Sequence, residues 1–278
     1  TLANALDFDD TLHGHPGATA IPPAVAVAED VEADGRELIA AIVAGYEVSL
    51  RVGNSMTPSY EANRNVHGLG TFQVLGAAVS AGKLLGLSGQ EMANALGIAC
   101  ASAPVPSIRK AIDSALGVTM VKNAYGTAAM TGVVSAIIAR KGFTGPRDIL
   151  EGEKGFWRMF GSDRCTPDAI TRGLGSEYQI LNVEFKPYTA CRHFHSAIDA
   201  AVDLANRQEI DPEDIEEVEV ASCGYPDLDM WPYNRRDPQN MYDAEFSVPY
   251  SIALALLKVK PGIAWLDKSL IEDCLLYT

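Results

Sequence analysis

The sequence predicts a mainly α protein with an all-helical domain over residues 1–175 and a smaller α+β lid domain over residues 176–278. Three observations predict this class. Ala and Gly recur at helical spacing in the first half, Gly and Pro interrupt the chain between residues 142 and 175, and strand-like and helix-like periods alternate afterwards. With 278 residues, 47% of them hydrophobic, the chain is long enough for two folded domains.

The helices of the first domain are predicted in chain order. Pro22 and Pro23 suit a first helical turn, so we expect a helix that starts at Pro22 and stops before Asp34-Gly35. Further helices are expected at 37–50, 71–85, 89–102 and 120–140. Small residues such as Gly76, Ala77 and Gly132 on the apolar faces predict that these helices approach one another closely.

The second domain is predicted to alternate strands and helices. Strands are expected at 180–185 and 215–222, and helices at 193–206 and 246–257. The buried side of the helix at 193–206 is expected to carry Ala197, Ile198, Ala201, Val202 and Leu204.

The charge balance restricts the partners of the protein. Lys and Arg number 22 against 36 Asp and Glu, a formal net charge of -14, and we therefore exclude nucleic acid and an acidic membrane surface as partners. The five scattered cysteines include no C-x-x-C pair, which predicts free thiols and neither a disulfide framework nor a zinc knuckle. The Asp and His residues between Asp7 and Gly17 could bind a divalent metal, but no second ligand cluster of fixed spacing is visible, so we expect no metal site. No secretory leader and no apolar run of membrane length is visible, so we expect a cytoplasmic protein.

The first segment with candidate catalytic groups runs from Asp7 to Gly17. Its carboxylates, the Thr11 hydroxyl and the His15 imidazole can exchange protons and bind a polar ligand. The alternative is that Asp9, Asp10 and Thr11 cap a helix and the histidines are solvated. His67, which precedes two glycines at a predicted helix start, has the same two interpretations, an anion-binding group or a structural one.

Two further segments carry cations. Lys122 and Tyr125 supply an ammonium and a phenol that suit a substrate carboxylate, although Lys122 also suits a helix surface and Arg109 and Lys110 compete for the same role.

The segment 186–195 combines Lys186, Arg192 and His195, and Arg192 can bind a carboxylate through two hydrogen bonds. Cys191 is either a nucleophile activated by Arg192 or a small buried residue. No Walker loop, dinucleotide fingerprint or G-x-S-x-G elbow follows a predicted strand.

In this order, the motifs resemble the MmgE/PrpD family along nearly the whole chain. The matching stretches are Ala5–Thr11, His15–Gly17, Gly45–Glu47, His67 with Gly70–Thr71, Leu84–Ser88, Asn94–Ala99, Thr119–Lys122, Gly142–Pro146, Lys186–Tyr188, His195–Asp199 and Phe246–Tyr250. The resemblance implies a helical domain with an α+β lid, a homodimer and a cofactor-independent active site. It also implies a longer polypeptide whose C-terminal part returns to the helical domain, and the helix-like run at 266–276 where the chain stops agrees with a fragment.

The resemblance and the residue chemistry together predict the site. We predict Asp7, His15, His67 and Lys122 as catalytic residues. We predict Thr11, Tyr125, Lys186, Arg192 and His195 as substrate-binding residues. Of these nine, Tyr125, Arg192 and His195 rest on residue chemistry alone. Two positions depart from the family pattern, because Cys191 stands where the decarboxylases have a histidine and Gly68 where the dehydratases usually have a proline.

The function that the resemblance implies is proton transfer at a carbon next to a carboxylate of a small di- or tricarboxylic acid. The leading hypothesis is a hydro-lyase that acts on a 2-methylcitrate-like hydroxy-tricarboxylate. The alternatives are an epimerase of a dicarboxylate, a decarboxylase, and an inactive family member that only binds a metabolite.

Overall fold

The computed structural model describes residues 9–11, 14–63, 71–104, 117–120, 123–207, 210–221 and 234–273. Their contacts group into two compact units. The first unit comprises the described residues within 9–104 and 120–184, and the second comprises 117–119 and those within 185–273. The sequence-based boundary at residue 176 stays a prediction.

The first unit is helical. Its elements are β1 (Asp9–Asp10), α1 (Gly17–Asp30), α2 (Gly35–Ser55), α3 (Tyr60–Asn63), α4 (Val74–Leu84), α5 (Gly89–Ala101), α6 (Asn123–Arg140), α7 (Phe156–Met159) and α8 (Asp168–Thr171). A 3₁₀ turn at Gln179–Asn182 precedes β2 (Glu184–Phe185), which pairs with β1. Of the helices that the structure describes, none is long and apolar enough to cross a membrane.

Helix α4 is the centre of the first unit. It packs against α1, α2, α5 and α6, and every residue from Val74 to Gly82 is buried. A helix that is surrounded by others must be apolar or small on all its faces, which the Gly and Ala content of α4 provides.

Small residues allow the close approach of these helices, as the sequence predicts. A Cβ atom added at Gly45 of α2 would lie 2.8 Å from the carbonyl oxygen of Gly76 on α4. A Cβ added at Gly132 of α6 would lie 2.6 Å from the Cβ of Ala77 on α4. Both glycines are therefore required by backbone packing, because a side chain at either position would force α4 away.

A buried ion pair on α2 fixes an irregular segment of the first unit. Arg51 is 2% exposed and pairs with Glu47 one turn earlier. Its guanidinium also donates to the carbonyl oxygens of Arg172 and Glu177, the latter at 2.7 Å, while Glu47 Oε2 accepts the N–H of Gln179 at 2.6 Å. The pair supplies the hydrogen-bond partners that regular secondary structure would otherwise give to this segment.

The second unit has its own core. Its elements are α9 (His195–Arg207), α10 (Met241–Glu245), α11 (Val248–Leu256) and α12 (Lys268–Ile271), with 3₁₀ turns at Arg192–Phe194, Pro212–Asp214 and Ile263–Leu266. Helices α9 and α11 pack together. Ile198, Leu254 and Trp265 are almost completely buried between these elements.

The described residues are mostly helical, which confirms the mainly α prediction. The helices expected at 89–102, 120–140 and 193–206 agree with α5, α6 and α9 to within a few residues, and the one at 246–257 agrees with α11. Leu204 of α9 is 43% exposed, so its predicted burial is wrong, and Ala205 is buried in its place.

Several other expectations are wrong. Helix α1 starts at Gly17, five residues before Pro22, so the two prolines lie inside it and remove N–H groups that would bond to Ala18 and Thr19. The strand expected at 180–185 is a 3₁₀ turn followed by the two residues of β2. Residues 215–221 form no strand with any residue that the structure describes, so the α+β character of the second unit is not confirmed.

Candidate active site

Thr11 and Gly14 form an isolated antiparallel bridge, and His15 follows it at the entrance of α1. Thr11 and Gly14 exchange backbone hydrogen bonds of 3.0 and 3.3 Å, and the Thr11 hydroxyl donates to the Gly14 carbonyl at 3.1 Å. Gly14 has φ +126, a conformation that disfavours any other residue. The bridge therefore fixes the backbone from which His15 projects.

The structure brings His15 and Tyr125 together within the first unit. Their rings meet edge to face, with centroids 5.7 Å apart and an interplanar angle of 66°. Tyr125 lies in the first turn of α6 and is 6% exposed, whereas His15 is half-buried. An imidazole held against a buried aromatic ring has a restricted set of orientations, which a proton-transferring group needs.

A buried polar pair, Thr19 and Gln73, links α1 to the start of α4 close to His15. The Thr19 hydroxyl lies 3.1 Å from the Pro16 carbonyl oxygen and 3.0 Å from Gln73 Oε1. Thr19 and Gln73 are both fully buried. They connect the residue that follows His15 to the start of α4, in the interior of the unit.

The loop 186–191 of the second unit carries Lys186 and is anchored along its length. Lys186 Nζ lies 3.4 Å from the Ala190 carbonyl oxygen, and the Thr189 hydroxyl donates to the Gly262 carbonyl at 3.2 Å. The Cys191 N–H donates to the Glu245 carbonyl at 2.8 Å. The loop has little regular secondary structure, yet these contacts hold the ammonium of Lys186 at a defined place.

Tyr188 is the buried centre of this loop. Its hydroxyl donates to Asp199 Oδ1 at 2.6 Å, its ring stacks on Trp265 with centroids 5.5 Å apart, and the ring of His195 meets it edge-on at 5.3 Å. Burial, and then the hydrogen bond to the Asp199 carboxylate, raise the pKa of Tyr188 to about 12. The phenol therefore stays protonated at neutral pH and acts as a hydrogen-bond donor.

The remaining predicted residues divide between the second unit and the residues that are not described. Arg192 is half-buried and begins the 3₁₀ turn that leads into α9. His195 is 6% exposed, and its Nε2 lies 3.0 Å from the Ala190 carbonyl oxygen. Asp7, His67 and Lys122 lie outside the described residues.

Sequence reasoning missed two partners of the Lys186 loop. Asp199 is four residues after His195 on α9, so the spacing that puts both on one helix face was a usable signal. Trp265 comes from a 3₁₀ turn far along the chain, and no local pattern points to it. Among the described residues, no three His, Cys, Asp or Glu side chains form a group that could hold a metal ion.

A groove of about 400 Å³ on the second unit is a poor candidate for an acid-binding site. It lies along α9 and α11 beside the extended segment 218–221. Apart from His193, Ser196 and Glu219, the described residues that line it are apolar. A polycarboxylate requires cations, and the described part of this lining includes neither Lys nor Arg.

The structure thus describes a mainly helical protein. Its first unit holds an imidazole against a buried tyrosine ring, and its second unit carries a lysine on an anchored loop. Family models identify it further. The MmgE/PrpD N-terminal domain model matches residues 1–167, and the MmgE/PrpD C-terminal domain model matches residues 188–275. The chain belongs to the MmgE/PrpD family.

Three proteins that are similar in sequence to this chain are named cis-aconitate decarboxylase. Cis-aconitate decarboxylase of Aspergillus terreus is 31% identical over 218 residues, which are 73% of this chain and 43% of that protein. The human cis-aconitate decarboxylase is 29% identical over 72% of this chain and 42% of its own length, and the mouse protein of that name is 27% identical over 91% and 52%. The chain thus spans about half the length of the relatives that it matches.

Proposed function

We propose that this protein is a lyase that acts on a small di- or tricarboxylic acid by moving a proton at a carbon next to a carboxylate. The observation that carries the proposal is the anchored loop 186–191, which holds the Lys186 ammonium in a chain of net charge -14 and is followed directly by the half-buried Arg192. Fixed cations neutralise substrate carboxylates and stabilise the negative charge that develops when an adjacent C–H bond breaks.

The proposed reaction is the elimination of water. A base removes a proton from the carbon next to the carboxylate, the C–H electron pair forms the new C=C bond, and the hydroxyl group leaves with a proton from an acid as water. We assign the acid and base roles to His15 or His67 together with Lys122, and the orientation of the substrate to Asp7 and Thr11. Tyr125 holds the His15 ring from one side.

Decarboxylation is the second candidate, because the relatives at 27–31% identity are named cis-aconitate decarboxylases. In that reaction the C–C bond to one carboxylate breaks and CO₂ leaves. The electron pair stays on the carbon, which then takes a proton from an acid. The family resemblance places Cys191 where the decarboxylases have a histidine, which is the reason that decarboxylation is the second candidate and not the first.

One experiment separates these reactions. Uniformly ¹³C-labelled citrate-like hydroxy acids and cis-aconitate are incubated with the purified protein in heavy water and followed by NMR. Elimination yields alkene carbons, decarboxylation yields labelled bicarbonate, and epimerisation yields deuterium incorporation without a new alkene.

Lys186→Met tests the observation that carries the proposal, and Lys260→Met, an exposed lysine of the same unit, is the matched control. We expect KM to rise about tenfold or more in K186M, because a charge-assisted hydrogen bond to a carboxylate is lost, and to stay within about twofold in K260M. An unchanged KM in K186M, together with unchanged turnover in the alanine variants of His15, His67 and Lys122, would overturn the proposal.

A further inference from the structure

The buried position of His195 conflicts with a direct role in substrate binding. The residue is 6% exposed at the start of α9, and its Nε2 faces the Ala190 carbonyl oxygen at 3.0 Å. A carbonyl oxygen only accepts hydrogen bonds, so the proton of the neutral imidazole is on Nε2 and is donated to the loop.

The same carbonyl oxygen is the partner of Lys186. Its Nζ lies 3.4 Å from Ala190 O, and a carbonyl oxygen has two lone pairs and can accept both bonds. Ala190 has no exposed surface. The imidazole that fixes this carbonyl therefore also fixes the acceptor against which the ammonium rests.

The imidazole is itself held in place by its neighbours. Tyr188 meets it edge-on, with an interplanar angle of 85°, and is tied by its hydroxyl to Asp199 one turn further along α9. Trp265 stacks on the ring of Tyr188, with centroids 5.5 Å apart. The loop 186–191 is thus bound to α9 at two points, through the Ala190 carbonyl to His195 and through the Tyr188 hydroxyl to Asp199.

We propose that His195 is a positioning residue, which holds the Ala190 carbonyl and through it the Lys186 ammonium, and that it does not contact substrate. This proposal differs from the sequence-based expectation that His195 binds the substrate directly, and the two are distinguished by the tests below. The two contacts with the Ala190 carbonyl do not depend on which reaction the protein catalyses. Only the kinetic consequence rests on the proposed function.

The first test needs no substrate. Acetic anhydride acylates lysine side chains, and mass spectrometry of the peptide that contains Lys186 measures the rate at that residue. We expect His195→Leu to raise the rate about threefold or more, because the ammonium loses its fixed acceptor. His195→Gln, whose amide N–H reaches nearly the place of Nε2, should stay within about twofold of the wild type. Ser196→Ala, an exposed neighbour on α9, is the control and should have no effect.

The second test is kinetic. With the substrate found by the NMR experiment, His195→Leu should raise KM about tenfold with kcat within about threefold, and His195→Gln should restore KM with an unchanged pH profile of kcat/KM. If His195 touched the reacting atoms, the glutamine variant would lose kcat and one limb of the pH profile.

Each outcome decides the proposal. An unchanged acylation rate in His195→Leu, or a glutamine variant as impaired as the leucine variant, overturns it. If the leucine variant does not fold, the comparison is made on His195→Asn, whose shorter side chain does not reach the Ala190 carbonyl, and an unchanged rate at Lys186 has the same meaning there. If no acid is turned over, the acylation result still decides the role of His195, while the proposed function fails separately.

Discussion

At the scale of single residues, the candidate site residues are held in place by contacts with neighbouring groups. His15 rests against Tyr125, and Lys186 and His195 share one carbonyl oxygen. The sequence can name such residue types, because imidazoles, ammoniums and phenols in short segments are visible in it. It cannot tell that His195 is buried, because the burial depends on Tyr188 and Trp265, and the latter lies 70 positions further along the chain.

Tyr188 provides a prediction for the pH dependence of stability. Its pKa in the folded protein is about 12, against an ordinary value of 10. The folded protein therefore holds this proton more tightly than the unfolded chain. The contribution to stability is complete below about pH 10 and is lost as the pH rises towards about 12.

Tyr188→Phe should therefore make the free energy of unfolding less dependent on pH between about pH 10 and about pH 12, as measured by urea unfolding. Asp199→Asn is the informative partner variant, because burial is the largest single cause of the raised pKa and the Asp199 carboxylate adds to it through a hydrogen bond and through its charge. Ultraviolet titration of tyrosinate should find the pKa of Tyr188 in that variant lowered but still above its ordinary value. If the free energy of unfolding of Tyr188→Phe fell with pH as steeply as that of the wild type, this account would be wrong.

At the scale of elements, a helix was predictable where the apolar residues recur at helical spacing and a capping residue marks the start of the helix. Ser88 and Glu91 form a capping box at the start of α5, and the apolar spacing continues to the end of that helix. The start of α1 was not predictable in this way, because Pro22 and Pro23 favour a first turn while the contacts of Thr19 and Pro16 extend the helix upstream. The alternating pattern at 215–221 indicates an extended chain, but a strand also needs a partner, which an alternating sequence does not supply.

The contact between α2 and α4 gives the prediction at this scale. Gly45→Ala should destabilise the protein by about 1–3 kcal/mol, because the new Cβ would meet the Ser80 hydroxyl and the Gly76 carbonyl.

The matched control is Gly35→Ala in the first turn of the same helix, where no atom lies within 4 Å of the added Cβ. That variant should be unchanged or gain up to about 1 kcal/mol, because alanine restricts the unfolded chain. Urea unfolding of both variants is the measurement, and equal effects at the two glycines would refute the packing argument.

At the scale of the whole molecule, each unit has its own buried core. Leu75 lies in the core of the first unit and Ile198 in that of the second, and neither has any exposed surface. Separate cores allow separate local openings, since the free energy of opening depends on the contacts within each cooperative group.

Leu75→Ala and Ile198→Ala should each remove about 2–5 kcal/mol from the unit that holds the residue. Hydrogen exchange followed by mass spectrometry should detect lost protection in peptides of that unit, with the other unit close to the wild type. The two variants serve as controls for each other. Equal loss of protection in both units would mean that they unfold as one.

The ion pair of α2 has a consequence for how this chain can vary. Two of the partners of Arg51 are the main-chain carbonyls of Arg172 and Glu177, and the Glu47 carboxylate accepts the main-chain N–H of Gln179. Every residue type supplies a carbonyl, and every type except proline an N–H. Mutation can therefore change the side chains at residues 172, 177 and 179 while these bonds survive, whereas loss of the Arg51 guanidinium or of the Glu47 carboxylate removes the anchoring of the whole segment at once.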